Sequence, residues 1–482
     1  MEYKWVALSN TTIGTLMSSI DTNIVLIALP TIARDLTGMS TLDVLWVIMG
    51  YQLVISSVLV NFGRLSDMLG RVRLYNLGFA IFTIGSGLCS IAGTGDELII
   101  FRLVQATGSA FLFSNSAAIL TDAFPPNERG RALGINQVSI VAGSVIGLIL
   151  GGILTAYVGW RSIFWVNLPI GGFATVWAYM KLKELSSRSR QEPLDISGNV
   201  VFASALVILL LAVTLRAITG LSIYLTGIMV AASAGLFYLF GRIERRTPYP
   251  MFDFSLFRNP TFTAGNETIF LNSLSRGSFT LVMVFFLQGP IMGLTPLDAG
   301  IFLVPLSVSL SVMGPISGYL SDRFGPRSLV MTGLGLSSIG FLLMTRLDGA
   351  VTQAQILLPL VLIGAGMGVF ASPNRSSIMN SAPPNRRGIA SGISTTLVNT
   401  GNTLSIGMAF SVMALTTPRN ILDEIFAGEA SSSSGFVASS FLQSVHLVFY
   451  VSAALLILSI VIYAIEYYWL SSRRSSGDTM VH

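Results

Sequence analysis

Four ionisable side chains stand inside long apolar stretches of this 482-residue chain: Asp21, Arg102, Glu267 and Arg276. Two more, Asp122 and Arg375, stand near the ends of such stretches. A charge in the middle of hydrocarbon costs a few kcal/mol on insertion scales, so each group needs a partner, water or a task. A carboxyl in such surroundings can take up and release a proton as its neighbours change, which makes Asp21, about halfway along the first apolar run, a candidate for proton coupling or for holding a substrate cation. Glu267 lies about two turns from the end of its run, where proton coupling and an interfacial anchor stand equal. Arg375, in Ser372-Pro-Asn-Arg375, reads as an interface anchor.

The parts for other chemistries are missing. The sequence has two histidines, His446 and His482, no H-E-x-x-H and no phosphate-cradling glycine loop, so metal hydrolysis and ATP-driven pumping lack their residues. No enzymatic activity, cofactor or metal site is expected. The one cysteine, Cys89, lies in an apolar run and reads as packing.

The elements that must position these charges follow from composition. With 52% hydrophobic and 11% charged residues, the chain has too little polar surface for water. Apolar runs of about 20 residues, each able to cross a hydrocarbon core about 30 Å thick, recur from end to end. The first, from about Trp5 to Pro30, is too long for a cleavable signal and reads as helix 1. Spans are expected near residues 8–30, 43–62, 74–93, 97–121, 133–156, 162–182 and 197–216. A second seven lie near 221–241, 261–287, 298–317, 328–346, 355–376, 388–416 and 440–465.

The net charge of +5 raises nucleic acid as a partner, but the basic residues sit in short clusters between spans, where topology explains them. With both termini cytoplasmic, about twenty of the 28 Lys and Arg fall on the cytoplasmic side, including Arg71, Arg73, Lys181, Lys183, Arg245, Arg246, Arg386, Arg387, Arg473 and Arg474. Arg34, Arg161, Arg216, Arg346 and Arg419 fall outside. This asymmetry predicts a multi-pass inner-membrane protein with an even number of helices.

The chain also repeats itself. Gly63-Arg-Leu-Ser-Asp67-Met-Leu-Gly70-Arg71 returns 255 residues later as Gly318-Tyr-Leu-Ser-Asp322-Arg-Phe-Gly325-Pro-Arg327. Pro125-Pro-Asn-Glu-Arg129-Gly130-Arg-Ala132-Leu-Gly134 returns 258 residues later as Pro383-Pro-Asn-Arg-Arg387-Gly388-Ile-Ala390-Ser-Gly392. Both copies fall on one side of the membrane, so the repeats are parallel and each half holds six equivalent helices. The expected organisation is a six-helix bundle over 1–185, a linker carrying an inserted transmembrane hairpin over 186–260, a second six-helix bundle over 261–470 and a cytoplasmic tail over 471–482. Ser186 to Gln191 and Arg242 to Pro260 read as linkers, Thr416 to Ser440 as a flexible external loop, and the tail as disordered. The same 255-residue offset separates Asp21 from Arg276, which places them at equivalent depths on the first helices of the two halves. Nine residues separate Glu267 from Arg276, which puts that acid on the opposite helix face.

These residues resemble the major facilitator superfamily, and more narrowly its fourteen-helix drug/proton antiporters of the multidrug-resistance type. Gly63 to Arg73 is similar to the loop 2-3 signature of that family, and Arg102-Leu-Val-Gln105-Ala-Thr-Gly108 to its helix-4 signature with Ala106 in place of a glycine. Ser18-Ser-Ile-Asp21-Thr-Asn23-Ile-Val-Leu-Ile-Ala28-Leu29-Pro30 is similar to the helix-1 signature of the fourteen-helix group, and Trp160-Arg161 through Asn167-Leu168-Pro169-Ile170-Gly171 to the start of its helix 6. Gly143-x-x-x-Gly147-Leu148-x-x-Gly151-Gly152 resembles the helix-5 antiporter motif, with Leu148 where a proline is expected. The glycine spacing alone allows close helix approach in lipid, so tight packing without a mechanistic role stands beside the antiporter reading.

The resemblance implies an all-α polytopic fold, two six-helix bundles plus a hairpin, that moves small molecules by alternating access as a functional monomer. Its partners would be a small hydrophobic drug or metabolite, protons and the lipid bilayer. It lends proton coupling to Asp21, Arg102 and Glu267, and substrate binding to Asp21, Asn23, Asn272 and Arg276. Since the first helices of the two halves flank the central cavity in that fold, Asp21 and Arg276 are expected to face each other across it. Gating falls to Gly63, Asp67, Gly70, Arg71, Asp322 and Arg323, whose charges could pair across the halves in one access state only. Uptake by symport, export of a specific polar metabolite, a membrane-embedded enzyme or sensor, and a channel are the alternatives; repeated halves favour alternating access over a channel.

Overall fold

Within lipid a backbone must satisfy its own hydrogen bonds, and helices do so locally. The computed structural model accordingly describes helices throughout, for all residues except 1, 37, 126–127, 186–194, 249, 251, 349–352, 384–385, 427–434 and 478–482; for 60, 130, 322, 353–354, 388 and 467–477 the backbone alone is described. In chain order these are α1 (Tyr3–Asp35), α2 (Thr41–Leu69), α3 (Arg71–Ile91), α4 (Gly95–Ala123), α5 (Arg129–Tyr157), α6 (Ser162–Trp165) and α7 (Asn167–Lys181). A hairpin of α8 (Ile196–Thr219) and α9 (Ile223–Glu244) follows, then a 3-10 turn, Phe254–Arg258. The rest comprises α10 (Pro260–Arg276), α11 (Phe279–Gln288), α12 (Pro296–Phe324), α13 (Pro326–Met344), α14 (Gln353–Ser381), α15 (Arg387–Met413), α16 (Arg419–Phe426) and α17 (Gly435–Gly477).

Thirteen stretches among the described residues are long and apolar enough to cross a membrane, with α6 and α7 forming one and α10 and α11 another. The remaining expected span is α15, whose 27 residues are long enough but more polar. Large apolar side chains such as Ile84, Ile91, Tyr179, Ile228 and Val312 are exposed, as a lipid-facing surface requires.

The repeat extends to the helix caps. Ser40 caps α2 by accepting from the Asp43 N–H at 3.2 Å, and Thr295, 255 positions on, caps α12 by accepting from the Asp298 N–H at 3.2 Å. Gly70 (φ 113°) and Gly325 (φ 78°) make the equivalent turns α2–α3 and α12–α13, in a region where a Cβ would be strained.

Helices α1 to α7 pack as one bundle and α10 to α15 with α17 as another. They meet along two seams, α5 against α12 and α2 against α15. The hairpin covers the second seam, with α8 against α2 and α15 while α9 packs on α8. Its ends are tied down where the Asp195 carboxylate accepts from the Gly198 N–H at 2.8 Å and Glu244 accepts from the Phe252 N–H at 3.0 Å. We call the face on which α1 begins proximal and the opposite face distal. Toward the distal face the Gln288 amide donates to the Ile27 carbonyl at 2.9 Å, and the Thr41 hydroxyl donates to Asp423 at 2.6 Å. At about mid-depth the Thr403 hydroxyl donates to Gln52 at 3.4 Å.

Several expectations are corrected. The segment read as a flexible external loop contains α16, an amphipathic helix that buries Ile421, Leu422, Ile425 and Phe426, with the Phe426 ring 4.2 Å from that of Phe285. An apolar stripe on a short helix lowers free energy by packing even outside a span. The tail read as disordered continues α17 as helix to Gly477, while 478–482 lie outside the described residues. Ser186 to Gln191 and Ser431 to Ser434 also lie outside them. The span expected to be continuous over 261–287 breaks after Arg276 and resumes at Phe279.

Candidate functional site

The first helix positions Asp21 fully buried, and α4 brings Arg102 down beside it. Arg102 Nη1 donates to Asp21 Oδ2 at 2.6 Å and to Gln105 Oε1 at 2.7 Å. Gln105, one turn along α4, returns a bond from its amide to Asp21 Oδ1 at 2.8 Å. A third donor comes from α7, where Asn167 Nδ2 lies 3.0 Å from Asp21 Oδ1 and 3.1 Å from Ser86 Oγ on α3. The guanidinium also lies over the Tyr51 ring of α2, 4.1 Å from its centroid. Tyr51 hydrogen-bonds Ser109 at 2.5 Å, and Ser109 donates to Ser18 at 3.2 Å. Five helices of the first bundle, α1, α2, α3, α4 and α7, thus contribute to one buried polar cluster.

Such a cluster has a definite electrostatic logic. Two charges removed from water are tolerable only when they meet closely and their remaining hydrogen-bonding positions are filled. Both Asp21 oxygens are filled, whereas Arg102 Nε has no acceptor among the described residues. Protonating Asp21 would neutralise one partner and loosen the other. Removing either charge would leave the other buried without its counter-ion.

Sequence reasoning marked Asp21 and Arg102 separately and did not join them. Asp21 does not bond Arg276 in this structure; its oxygens are occupied by Arg102, Gln105 and Asn167. Gln105 and Asn167 were missed as partners, although Gln105 stands one turn from Arg102 in its own motif. Asn23 faces α5, donating to the Ser19 carbonyl at 2.9 Å and to Ser144 at 3.3 Å. Glu267 is exposed and lies beside Glu466 of α17, away from the Asp21 cluster. Arg276 ends α10 and donates from Nε to Asn272 Oδ1 at 3.1 Å.

The helix-5 glycines carry two contacts. A Cβ at Gly143, Gly147 or Gly151 would stand 2.8, 2.8 and 3.0 Å from the carbonyl oxygens of Leu16, Ile20 and Ile24, so this stripe seats α5 on α1 around the level of Asp21. A Cβ at Gly152 would stand 2.7 Å from the Pro296 oxygen and the Leu297 Cα, which places it on the seam between bundles.

At the proximal end Arg71 bonds Asp67 at 2.7 Å and both oxygens of Asp122 at 2.8 Å. The Glu184 carboxylate accepts from the N–H groups of Arg71 and Val72 at 3.1 and 3.0 Å. This knot ties α2, α3, α4 and the end of α7 within the first bundle. It is not shared with the second, where the Arg323 guanidinium lies 4.9 Å from the Tyr319 ring centroid and the Asp322 side chain lies outside the described residues. Gly63 has open space around it. Asp122 and Glu184 were not foreseen as partners of Arg71.

Comparison with known proteins agrees with this architecture. A family model described as Major Facilitator Superfamily matches residues 11–406. The chain is 33% identical over 411 residues to the riboflavin transporter RibZ of Clostridioides difficile, covering 85% of this chain and 88% of that protein. It is 32% identical over 406 residues to the multidrug resistance protein Stp of Mycobacterium tuberculosis, covering 84% and 75%. With multidrug resistance protein 3 of Bacillus subtilis it shares 30% identity over 429 residues, covering 88% and 82%. The crystal structure of a bacterial homolog of the human lysosomal transporter Spinster, inward-facing and unoccupied, superposes with a TM-score of 0.68 at 17% identity, covering 96% of this chain and 97% of that one. That likeness shows a common fold.

Proposed function

The chain belongs to the major facilitator superfamily of membrane transporters, and from that premise we propose that it exports small molecules across the inner membrane in exchange for protons. The observation that carries the reading is the fully buried Asp21 carboxylate held by Arg102, Gln105 and Asn167. An ionisable group placed there is expensive, and a proton that enters from one side and leaves from the other gives it a use. The multidrug-resistance names of two relatives support export.

In this reading the proximal face is cytoplasmic, as the distribution of Lys and Arg favours. The bonds between the bundles lie at mid-depth and toward the distal face, which fits a state open to the cytoplasm. Asp21 and Arg102 carry the proton step, Asn272 and Arg276 on α10 contact the substrate, and the Asp67–Arg71–Asp122 knot belongs to the gate. A second reading, transport of one specific metabolite with no drug among its cargoes, draws on the riboflavin transporter.

Everted membrane vesicles test the main reading. With a proton gradient, acid inside, the protein should accumulate its substrate in the lumen, and collapsing the gradient should stop accumulation. Accumulation only in right-side-out vesicles would mean uptake. For the gate, Asp67→Asn should lower turnover about fivefold, the scale of a ~1 kcal/mol change in a conformational step. Substrate affinity should stay within about twofold, since Asp67 is half-exposed and its pair with Arg71 adds little to stability. Unchanged turnover removes the knot from the mechanism.

A further inference from the structure

The two bundles treat the arginines within their spans differently. Arg102 is matched by Asp21, whereas Arg276 meets no carboxylate among the described residues. A guanidinium is always charged in a protein and carries five N–H donors. Arg276 spends one of them, Nε, on Asn272 Oδ1, and its two terminal nitrogens have no protein acceptor among the described residues. Asn272 is 3% exposed, and its amide Nδ2 is a buried donor without a partner among the described residues. Donors of one sign and one class therefore gather on a single turn of α10.

The helical hydrogen-bond ladder is interrupted there as well. Helix α10 ends at Arg276 and α11 begins at Phe279, so residues 277–278 interrupt a 29-residue span. Gly277 and Ser278 keep right-handed helical dihedrals, but the Ser278 N–H leaves the helical ladder for Ser405 Oγ at 2.9 Å, and interrupted helices are a common place for binding in membrane transporters. A second arginine with no carboxylate partner among the described residues, Arg375 of α14, lies nearer the proximal face. The neighbouring Asn374 amide donates to the Gly265 carbonyl at 3.0 Å, which sets Arg375 about 16 Å of helix rise below Arg276.

We propose that the turn Asn272–Arg276 is an oxyanion-binding subsite and that the transported molecule carries a carboxylate or phosphate group. This rests on the transport reading given above and names the class of its cargo. Two guanidinium nitrogens and an amide nitrogen match the acceptors of a planar carboxylate or a phosphate, which arginine binds in bidentate fashion. A neutral or cationic molecule leaves the charge unmatched inside the membrane. Arg375 then offers the same anion a second point of attraction on the proximal side.

The test uses purified full-length protein and three matched probes: 2-naphthoate, 2-naphthamide and 2-naphthylmethylamine. Naphthoate should bind at least about tenfold more tightly than the other two, a difference worth about 1.4 kcal/mol. Arg276→Gln should remove that preference and Arg276→Lys should keep part of it. Should Arg276→Gln fail to fold, Asn272→Asp decides, since it supplies a carboxylate four residues from Arg276 and should abolish naphthoate preference in a folded protein. Lack of naphthoate preference in the wild type, or its survival in Asn272→Asp, overturns the proposal. The same probes in proteoliposomes separate the two readings. Naphthoate that binds but is not driven by a proton gradient leaves this subsite standing and removes proton exchange. Gradient-driven movement of the amine or amide, without naphthoate binding, does the reverse.

Discussion

Asp21→Asn should reduce gradient-driven flux by at least about 100-fold, because the neutral amide cannot take part in the proton step on which coupling depends. The single substitution also strands Arg102. Removing one partner of a buried pair costs about 3–5 kcal/mol in comparable cases, so lower yield is expected alongside lost flux. The double variant Asp21→Asn, Arg102→Gln separates the two effects. It replaces a charged cluster by a neutral one in which Gln105, Asn167, Ser86 and Tyr51 keep polar partners. Yield and thermal stability should recover, and downhill exchange of substrate should persist while uphill accumulation stays absent. Uphill accumulation at the wild-type level in the double variant would show that protons are carried elsewhere.

The second large effect is expected at Gly152. A Cβ there would stand 2.7 Å from the Pro296 oxygen and the Leu297 Cα, and across the same seam Gly300 of α12 sits against the Leu148 carbonyl of α5. These approaches hold the bundles together toward the distal face. Gly152→Leu inserts a side chain where backbone meets backbone, and overpacking of this kind costs typically about 1–3 kcal/mol. The strain falls only on the state in which the seam is closed. It should therefore shift the access equilibrium by about 5- to 150-fold toward opening on the distal side and lower flux by about tenfold. Labelling can read the shift. The native Cys89 is buried, so a cysteine placed by Thr41→Cys, at the distal start of α2, gives a low-background signal. Its reaction with a membrane-impermeant maleimide in right-side-out vesicles should quicken in the Gly152→Leu background. Unchanged labelling and unchanged flux would mean that this seam does not move. Gly147→Leu provides the contrast: it disturbs α5 against α1 inside one bundle and should lower stability without favouring either access state.

The sequence alone determined the architecture, and the reason is the solvent. Lipid demands runs of about 20 apolar residues with backbone bonds closed locally, so span number and order can be read without any partner. The duplicated Gly63–Arg71 and Gly318–Arg327 segments revealed the two halves, and the shared caps at Ser40 and Thr295 follow the same offset. The energetic expense of charge in hydrocarbon was equally legible, so Asp21, Arg102 and Arg276 stood out before any coordinate.

Tertiary structure decided who meets whom. A repeat offset gives equal depth on two helices, but it says nothing about which faces turn toward each other. The offset pairs Asp21 with Arg276, yet Asp21 closes on Arg102, Gln105 and Asn167 because α1 packs against α4 and α7. Rotation and tilt of packed helices are set by many small contacts, such as Gly143 and Gly147 seating α5 on α1, and no single one is written in a hydropathy profile. The interruption after Arg276 was hidden for a similar reason: Gly277 and Ser278 sit in an otherwise apolar run, and it is Ser405 of the neighbouring α15 that takes the Ser278 N–H out of the helical ladder. The same holds at the proximal knot, where Asp122 and Glu184 reach Arg71 from more than 50 and 110 positions away in the chain.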